Sequence, residues 1–275
     1  MSFKAFIVTV FVFAAGLGAG YFIFAAEGNV PMPAVQTAVA VPASVQSEAI
    51  ITDEAAVRRI VEAYIKENPV VIMQSVNDFQ QNGQLRQIEA RAEPYLAVLQ
   101  KTEGSAVVGA DSAQVKIIEF FDYQCPHCKA NYGVLQQLLA EDSSVALMPK
   151  YLPILGDGSD NDMSLYGARA AEAARLQGKF VPFHEALMQS QLPLSRESVE
   201  AVALRVGIDI IRFNHDVRSE QVAEAIAASR AIADEIGISQ AGTPGYIVGG
   251  KVMIGAAPDS YDRLKAMIEA ARPTG

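Results

Sequence analysis

The sequence VKIIEFFDYQCPHC, residues 115–128, decides the fold class of this chain. Its first seven residues form a short, mostly apolar run of the kind that suits a buried strand. A helical pattern follows from about residue 126 to residue 140, and residues 145–152 predict a second strand. This order of strand, turn, helix and strand predicts a βαβ unit of an α/β domain, with Cys125 and Cys128 at the carboxyl end of its first strand.

The residues after this unit complete a domain with a mixed sheet. About residues 161–236 form four or so helical patterns, and the last of them begins at Asp216. An antiparallel hairpin is predicted around Gly249-Gly250, because short apolar runs flank this turn. The remaining elements are a turn, the two hairpin strands and a final helix, at residues 242–245, 246–248, 252–254 and 258–271.

Three amphipathic patterns precede the domain, within residues 51–103. The first covers residues 53–66, and the second begins at Pro69 and stops near Asn82-Gly83. The third, residues 85–99, contains Pro94 and should break there. Helices this short need a partner for their apolar faces. The pattern leaves two interpretations open, an oligomerisation module or a helical cap packed on the main domain of the same chain.

The first 50 residues have a composition of their own. Residues 5–26 contain no charged side chain and are mostly apolar, so they are directed to a membrane. Residues 1–26 are therefore either an uncleaved signal anchor or a cleaved signal peptide. Residues 27–50 are rich in Pro and Ala and predict a linker. With Lys4 before the apolar run, both interpretations place the body of the protein in an exported, oxidising compartment.

The overall composition excludes several classes of protein. The 275 residues carry a formal net charge of −9, and the pI is near 4.9. Such an acidic chain offers no basic surface for the phosphates of a nucleic acid. The chain contains two cysteines, which are too few for a disulfide framework or a four-cysteine zinc ribbon.

Cys125 and Cys128 have the spacing and the position of a redox pair. Disulfide exchange needs one sulfur with a lowered pKa and a second sulfur close enough to resolve the mixed disulfide. The start of a helix favours an anion on Cys125, and Cys128 follows one turn later. Pro126 suits the first helical position, and His127 adds a cationic group or a donor beside the sulfur. A lowered pKa of Cys125 would make the oxidised pair a stronger oxidant.

Other chemistry for this pair is disfavoured. A zinc site would need further ligands, and the three histidines, His127, His184 and His215, have no paired spacing. A c-type haem would need histidine where Lys129 stands. A purely structural disulfide would close only a four-residue loop, which constrains the unfolded chain little. We therefore predict a redox pair with no metal and no cofactor, and we interpret His184 and His215 as structural or surface residues.

The residues also carry a resemblance. Residues 118–128 resemble the active-site segment of the DsbA family of thiol-disulfide oxidoreductases, in which Glu-Phe-Phe precedes Cys-Pro-His-Cys. Gly242-Thr243-Pro244 resembles the second signature of that family, a cis-proline loop that faces the dithiol. The resemblance extends loosely over residues 104–275. It implies a thioredoxin-like fold with a helical insertion at about residues 157–237, preceded by a small all-helical region.

The resemblance also implies roles for individual residues. It makes Cys125 the exposed attacking sulfur and Cys128 its resolving partner in a redox-active disulfide. Pro244 would be cis, and with Thr243 it would shape the substrate groove. Glu119 matches a buried acid behind the dithiol that can shuttle protons.

An acid within so apolar a strand needs a partner, since an unpaired buried charge is costly. Lys150 on the neighbouring strand is our candidate for the partner of Glu119. The alternative for Glu119 is a strand residue on an exposed edge.

Two features depart from the best-known DsbA pattern. Thr243 precedes Pro244 where the dedicated oxidase tends to carry valine, and threonine is more usual among isomerase, reductase and oligomeric relatives. Residues 53–100 resemble the amino-terminal oligomerisation region of DsbA-like proteins that have one, ScsC among them. The two features favour an oligomer formed through residues 51–103 and argue against a simple monomeric oxidase.

These observations predict an exported thiol-disulfide oxidoreductase that forms disulfides in unfolded or misoxidised exported proteins and acts as a homo-oligomer. One alternative is a disulfide isomerase or reductase kept reduced by a membrane partner, and another is a tethered scaffold protein with an inert disulfide. The redox partner would be a DsbB-like oxidase or a DsbD-like reductase. The compartment would be the periplasm or an equivalent, with residues 5–26 as a tether to the inner (cytoplasmic) membrane unless a signal peptide is cleaved.

Overall fold

The computed structural model of the chain describes two ranges, residues 53–159 and 161–273. By its contacts the chain divides into two compact units, residues 1–59 and 60–275, and only the start of one helix is described in the first unit. The predicted signal segment and linker, residues 1–26 and 27–50, lie outside the described residues. None of the helices in the described ranges combines the length and the apolar character that a membrane crossing requires.

A four-stranded mixed sheet forms the centre of the second unit. Its strands are β1 Val115–Phe121, β2 Val145–Tyr151, β3 Gly245–Val248 and β4 Lys251–Ile254. The strand order is β2-β1-β3-β4, with β1 parallel to β2 and antiparallel to β3, and β3 antiparallel to β4. The apolar residues of β1 enter two hydrophobic clusters, Ile117 and Phe121 in one, Ile118 and Phe120 in the other. The predicted strands and the hairpin around Gly249-Gly250 are confirmed.

Helices cover both faces of the sheet and precede it. Those before the sheet are α1 Glu54–Glu67, α2 Pro69–Ala92 and α3 Leu96–Leu99. The helix that connects β1 and β2 is α4 Pro126–Glu141. Between β2 and β3 lie α5 Met163–Leu176, α6 Phe180–Gln189, α7 Arg196–Arg205, α8 Ile210–Asp216, α9 Glu220–Ile236 and α10 Ile238–Ala241. After the hairpin comes α11 Ser260–Ala270, and the whole is a thioredoxin-like fold with a helical insertion.

Two predicted helix boundaries are wrong. The second helix does not stop near Asn82-Gly83, because α2 continues to Ala92. A glycine inside a helix costs only about 1 kcal/mol relative to alanine, and the burial of Ile88 and Ala92 outweighs that cost. The last helix of the insertion begins at Glu220 rather than Asp216, since the Ser219 hydroxyl accepts a hydrogen bond from the Val222 backbone and caps α9 there.

The predicted break at Pro94 is confirmed, because a 3₁₀ turn, Glu93–Tyr95, separates α2 from α3. The segments on either side of this turn pack on the sheet. Ile88 and Leu99 belong to the same hydrophobic cluster as Ile118 of β1. The Glu89 carboxylate also accepts hydrogen bonds of 3.2 Å from the Val252 backbone and the Lys251 ammonium on the edge strand β4. The second half of α2 is therefore part of the core of the sheet unit.

The residues before this half of α2 have a different environment. Apolar side chains of α1 and of the first half of α2 are exposed, and Met73 and Phe79 are 70% and 72% exposed. The other exposed apolar residues of this segment within the second unit are Ile60, Val61, Tyr64, Ile65, Val70, Val71, Ile72 and Val76. We call residues 60–79 the exposed helical segment.

Candidate active site

The dithiol lies between the end of β1 and the start of α4. Pro126 is the first residue of α4, and Cys125 occupies the position that caps the helix. The Cys125 backbone amide donates to the Asp122 carbonyl at 3.0 Å, which closes the turn after Phe121. Both cysteines are free thiols in this structure. The fold therefore places Cys125 where unpaired backbone amides favour a thiolate, with Cys128 one helical turn further on.

The cis-proline loop lies directly against the Cys125 sulfur. The Thr243–Pro244 peptide bond is cis, and the Thr243 carbonyl oxygen is 3.3 Å from the Cys125 sulfur. The expectation of an exposed Cys125 is wrong, since the residue is only 3% exposed. The neighbouring Thr243 accounts for part of this burial. His127 and Pro126 are exposed, so the open side of the dithiol is formed by the first turn of α4.

The environment of Cys125 stabilises its thiolate. Hydrogen bonds lower the pKa of Cys125 from its ordinary value of 9.0 to about 5, and the largest contribution comes from the Cys128 thiol. Burial opposes this shift, while the Thr243 side chain and the backbone amides of Cys128 and His127 add to it. At neutral pH the reduced pair therefore holds a thiolate on Cys125.

Cys128 has the opposite character. It is fully buried, and this burial, together with its hydrogen bond to Cys125, raises the pKa of the Cys128 thiol far above the ordinary value. Cys128 consequently remains protonated and donates its hydrogen to the Cys125 sulfur. The two sulfurs are thus distinct, with a stabilised anion at Cys125 and a buried thiol at Cys128 that must lose a proton before it can attack.

Glu119 lies behind the dithiol and is completely buried. Burial raises the pKa of Glu119 to about 8, the hydroxyl of Tyr246 opposes this effect, and the Cys125 charge adds to it. Neither carboxylate oxygen makes a hydrogen bond of normal geometry with any residue in the described ranges. The alternative of an exposed edge position is excluded for Glu119, because β1 is a central strand.

Lys150 is not the partner of Glu119. In the β1–β2 register Lys150 lies opposite Phe120, whereas Glu119 lies opposite Pro149. Since successive side chains of a strand point to opposite faces, Lys150 and Glu119 lie on different faces of the sheet. Burial lowers the pKa of Lys150 to about 8, and the carboxylate that opposes this effect is Glu172.

Asp122 organises the active-site turn, and sequence reasoning did not single it out. Asp122 is 2% exposed, and its carboxylate accepts hydrogen bonds from four donors. The donors are the backbone amides of Gln124, Ile154 and Leu155 and the Ser164 hydroxyl, the last to both oxygens, at 2.8–3.0 Å. Asp122 therefore ties the Cys-Pro-His-Cys turn to the loop after β2 and to the start of α5. The available signal was a carboxylate at the end of an apolar strand.

His184 is confirmed as a structural residue. It is fully buried, and its Nδ1 atom is 2.8 Å from the Tyr123 hydroxyl. Its ring stacks on Phe180 and meets Phe121 and Tyr132 edge to face. Burial lowers the pKa of His184 to about 3, so the ring is neutral at physiological pH. It links the insertion to the residues that flank the dithiol.

No three side chains of the His, Cys, Asp and Glu types converge as a metal site anywhere in residues 53–159 or 161–273. The reactive groups that the site presents are the sulfurs of Cys125 and Cys128. A thioredoxin-like fold that presents a thiolate and a buried thiol at a helix start, beside a cis-proline loop, defines a thiol-disulfide oxidoreductase. A protein-family model described as Thioredoxin matches residues 101–270. The chain belongs to this family.

Two curated relatives illustrate this similarity. The chain is 30% identical over 175 residues to the probable disulfide bond formation protein D of Bacillus anthracis, covering 59% of this chain and 76% of the relative. It is also 30% identical over 165 residues to Na(+)/H(+) antiporter NhaA 3 of Salinispora tropica, covering 60% of this chain. That match spans only 24% of the length of the antiporter.

Solved structures show the same fold. A thioredoxin-like oxidoreductase from Silicibacter pomeroyi DSS-3 has 32% identity and a TM-score of 0.56, over 63% of this chain and 95% of its own. ScsC from Proteus mirabilis, in a transitional conformation, has 23% identity and a TM-score of 0.57. It covers 79% of this chain and 96% of its own.

Proposed function

We propose that the protein is an exported oxidase that transfers the disulfide between Cys125 and Cys128 to unfolded proteins. The observation that carries the proposal is the set of hydrogen bonds that lowers the pKa of Cys125 to about 5. These bonds stabilise the thiolate, which exists only in the reduced pair. Stabilisation of the reduced pair makes the disulfide a stronger oxidant. Pro126 and His127, in the exposed first turn of α4, would contact the substrate beside Cys125.

The proposed reaction has two exchange steps. A substrate thiolate attacks the Cys125 sulfur of the disulfide, and the bond to Cys128 breaks with its electron pair on Cys128, which takes up a proton. A second substrate thiolate then attacks the substrate sulfur of the mixed disulfide. The bond to Cys125 breaks, and Cys125 leaves as the stabilised thiolate. The substrate has lost two electrons, and the pair has gained them. Thr243 and Pro244 would hold the substrate chain beside Cys125.

Incubation of the oxidised protein with reduced, unfolded ribonuclease tests this proposal. Recovery of ribonuclease activity, together with stoichiometric appearance of thiols at Cys125 and Cys128, is the expected result. Cys125→Ser should abolish the exchange. An equal recovery with Cys125→Ser would overturn the dithiol mechanism and would favour a tethered scaffold protein with an inert disulfide.

The second candidate is a disulfide isomerase or reductase that a membrane partner keeps reduced. Thr243 favours it, since threonine at this position is more usual among such relatives and lies directly against Cys125. Scrambled ribonuclease is the discriminating substrate. If the protein is an isomerase, its reduced form restores the activity of scrambled ribonuclease, whereas an oxidase does not. Thiol trapping in cells separates the two directions. An oxidised pair supports the oxidase with a DsbB-like partner, and a reduced pair supports the alternative with a DsbD-like partner.

We propose further that the chain forms a homo-oligomer through the exposed helical segment. Its apolar side chains, with Met73 and Phe79 at 70% and 72% exposure, form an exposed apolar surface, and such surfaces mark interaction sites. The resemblance of residues 53–100 to an oligomerisation region supports the same proposal. The part of this region after Gly83 packs on the sheet, so the oligomer contacts would come from residues before it.

Light scattering of the chain without residues 1–50 tests the oligomer. We expect a dimer or trimer that Met73→Glu/Phe79→Glu converts to a monomer. The control Gln74→Glu/Gln80→Glu adds the same charge to exposed polar positions of the same helix and should leave the mass unchanged. A parent protein that is already monomeric would refute the proposal.

The proposed oxidase function also implies a compartment, since an oxidising dithiol needs an oxidising environment. We propose a periplasmic location, with residues 5–26 as a tether to the inner membrane. Cell fractionation is the test. Recovery of full-length chain with the membranes after a high-salt wash supports the tether. A shortened chain in the soluble periplasmic fraction supports the cleaved signal peptide instead.

A further inference from the structure

Two polar side chains, Asn131 and Tyr246, lie on the Glu119 side of the sheet. The Asn131 amide of α4 donates to the Tyr246 hydroxyl of β3 at 2.7 Å. Asn131 is 3% exposed, and Tyr246 is fully buried. Tyr246 lies directly opposite Glu119 in the antiparallel β1–β3 register, so the two side chains share a face. Asn131 follows Cys128 by three residues on α4 and lies on the same helix face.

The direction of the Asn131–Tyr246 hydrogen bond fixes where the tyrosine hydrogen can go. An amide N–H₂ group can only donate, so the Tyr246 oxygen is the acceptor, and its own O–H is left to donate elsewhere. The neighbouring acceptor is the Glu119 carboxylate, whose two oxygens are buried and lack a hydrogen-bond partner within the described part of the chain. The bond from Asn131 thus leaves the Tyr246 hydroxyl hydrogen available to Glu119.

The other groups that face Glu119 do not favour its charge. From α4 and the preceding turn these are Cys125, Cys128, Tyr132 and Tyr123, each of which is coupled to Glu119 through charge. None of them is a cation, and each would be negative when ionised. The hydroxyl of Tyr246 is the group that favours the carboxylate form of Glu119. The buried acid therefore depends on a neutral donor in place of a positive partner.

We propose that Asn131 and Tyr246 are positioning residues for disulfide exchange, which hold a hydroxyl against Glu119 so that its carboxylate can accept the proton of Cys128. This inference rests on the proposed exchange through the dithiol. When a mixed disulfide is resolved, the Cys128 thiol transfers its proton to Glu119, and the Cys128 thiolate attacks the Cys125 sulfur. The bond between Cys125 and the substrate sulfur breaks, and the substrate leaves as a thiolate. In the reverse direction Glu119 returns the proton to Cys128.

The first measurement is the titration of Glu119 itself, by infrared spectroscopy of its protonated carboxyl band in the reduced full-length chain. Glu119→Gln assigns the band. Tyr246→Phe removes only the hydroxyl, and Asn131→Leu/Tyr246→Phe also removes the amide that the single variant leaves unpaired. We expect the Glu119 pKa to rise by about one unit in both variants, because both remove the hydroxyl that favours the Glu119 carboxylate. Tyr261→Phe, which removes a hydroxyl bonded to the surface carboxylate of Glu141, should leave it unchanged.

The second measurement is the rate at which a mixed disulfide between Cys125 and a model peptide is resolved by Cys128. With the Glu119 pKa raised by about one unit from about 8, the carboxylate fraction at neutral pH falls about tenfold. We expect a resolution rate about tenfold lower in both variants, with the midpoint of its pH profile displaced upward.

The outcomes separate this inference from the function on which it rests. An unchanged Glu119 titration in Tyr246→Phe overturns the inference. A raised Glu119 pKa with an unchanged resolution rate overturns the role in proton transfer. Absence of any exchange in the parent protein, with the Glu119 titration displaced as expected, overturns the proposed function and leaves the pairing of Tyr246 with Glu119 supported.

Discussion

The stability of the reduced protein should depend on pH through Cys125, and the structure gives both the sign and the window of this effect. Hydrogen bonds lower the pKa of Cys125 to about 5 in the folded chain, against 9.0 for the ordinary thiol of the unfolded chain. Between these values unfolding takes up a proton, so the free energy of unfolding rises with pH. The stabilisation is complete above pH 9 and is lost as the pH falls through 5.

The magnitude follows from the size of this window. One proton taken up on unfolding changes the free energy of unfolding by about 1.4 kcal/mol per pH unit. At pH 7, two units above the folded-state pKa of about 5, the contribution of Cys125 is about 3 kcal/mol. That is a large share of the 5–15 kcal/mol, roughly, by which whole domains are stable. The oxidised protein has no thiol at this position and should lack the contribution.

Glu119 acts in the opposite direction and has to be separated from Cys125. Burial raises the pKa of Glu119 to about 8, so the folded chain binds the proton more tightly than the unfolded chain. Its contribution is complete below the unfolded pKa and is lost as the pH rises through about 8. Both redox forms contain Glu119. The difference in stability between the reduced and oxidised proteins therefore isolates the thiolate to a first approximation.

Urea denaturation of both redox forms at several pH values between 5 and 9 is the assay. The difference between the free energies of unfolding of the reduced and oxidised forms should grow by about 1.4 kcal/mol per pH unit in this range. Reduced Cys125→Ser is the control and should lose that slope. Ultraviolet absorbance of the thiolate gives the pKa directly. A difference that does not vary with pH, or a Cys125 pKa near 9, would show that the hydrogen bonds do not stabilise the thiolate.

Four further predictions concern single substitutions. Thr243→Val should raise the Cys125 pKa, by about one unit or less, in a thiolate absorbance titration, because it removes one of the donors. Asp122→Asn should lower the free energy of unfolding by about 2–3 kcal/mol in urea. The new amide N–H₂ group would replace an oxygen that accepts hydrogen bonds, and it would then lie against backbone N–H donors. Ile88→Ala should cost about 2–4 kcal/mol in the same assay, whereas Phe79→Ala should change monomer stability by less than about 0.5 kcal/mol.

Much of the fold could be predicted because its signals are local. The apolar run of β1, the Pro126 helix start and the hairpin around Gly249-Gly250 each depend on a few neighbouring residues. The end of the second helix could not be predicted, because it depends on distant contacts. Gly83 is a local signal for a break, but the burial of Ile88 against the sheet extends α2 through it. That packing joins residues that are distant in sequence, so no local pattern reveals it.

The partner of Glu119 could not be predicted from the sequence, for a related reason. That a buried acid needs a partner can be inferred from β1 alone. The identity of the partner depends on strand register, which places Tyr246 of β3 opposite Glu119 and Lys150 of β2 opposite Phe120. A shift of one residue moves a side chain to the other face of a sheet. The presence of Lys150 on the neighbouring strand therefore predicted the wrong partner for Glu119. Nothing in the local sequence indicated that Tyr246, in an apolar strand, lies opposite Glu119.

The direction of the reaction is a separate question from the reactivity of the dithiol. Thr243 suggests an isomerase or reductase by resemblance, yet its side chain contributes to the low pKa of Cys125, which makes the disulfide more oxidising. An isomerase also needs a reactive thiolate, so a low pKa of Cys125 is compatible with both directions. The chain can act as an isomerase only if a partner supplies electrons faster than substrates withdraw them. The redox state of Cys125 and Cys128 in the cell therefore decides between the two functions, and the potential of the isolated protein does not.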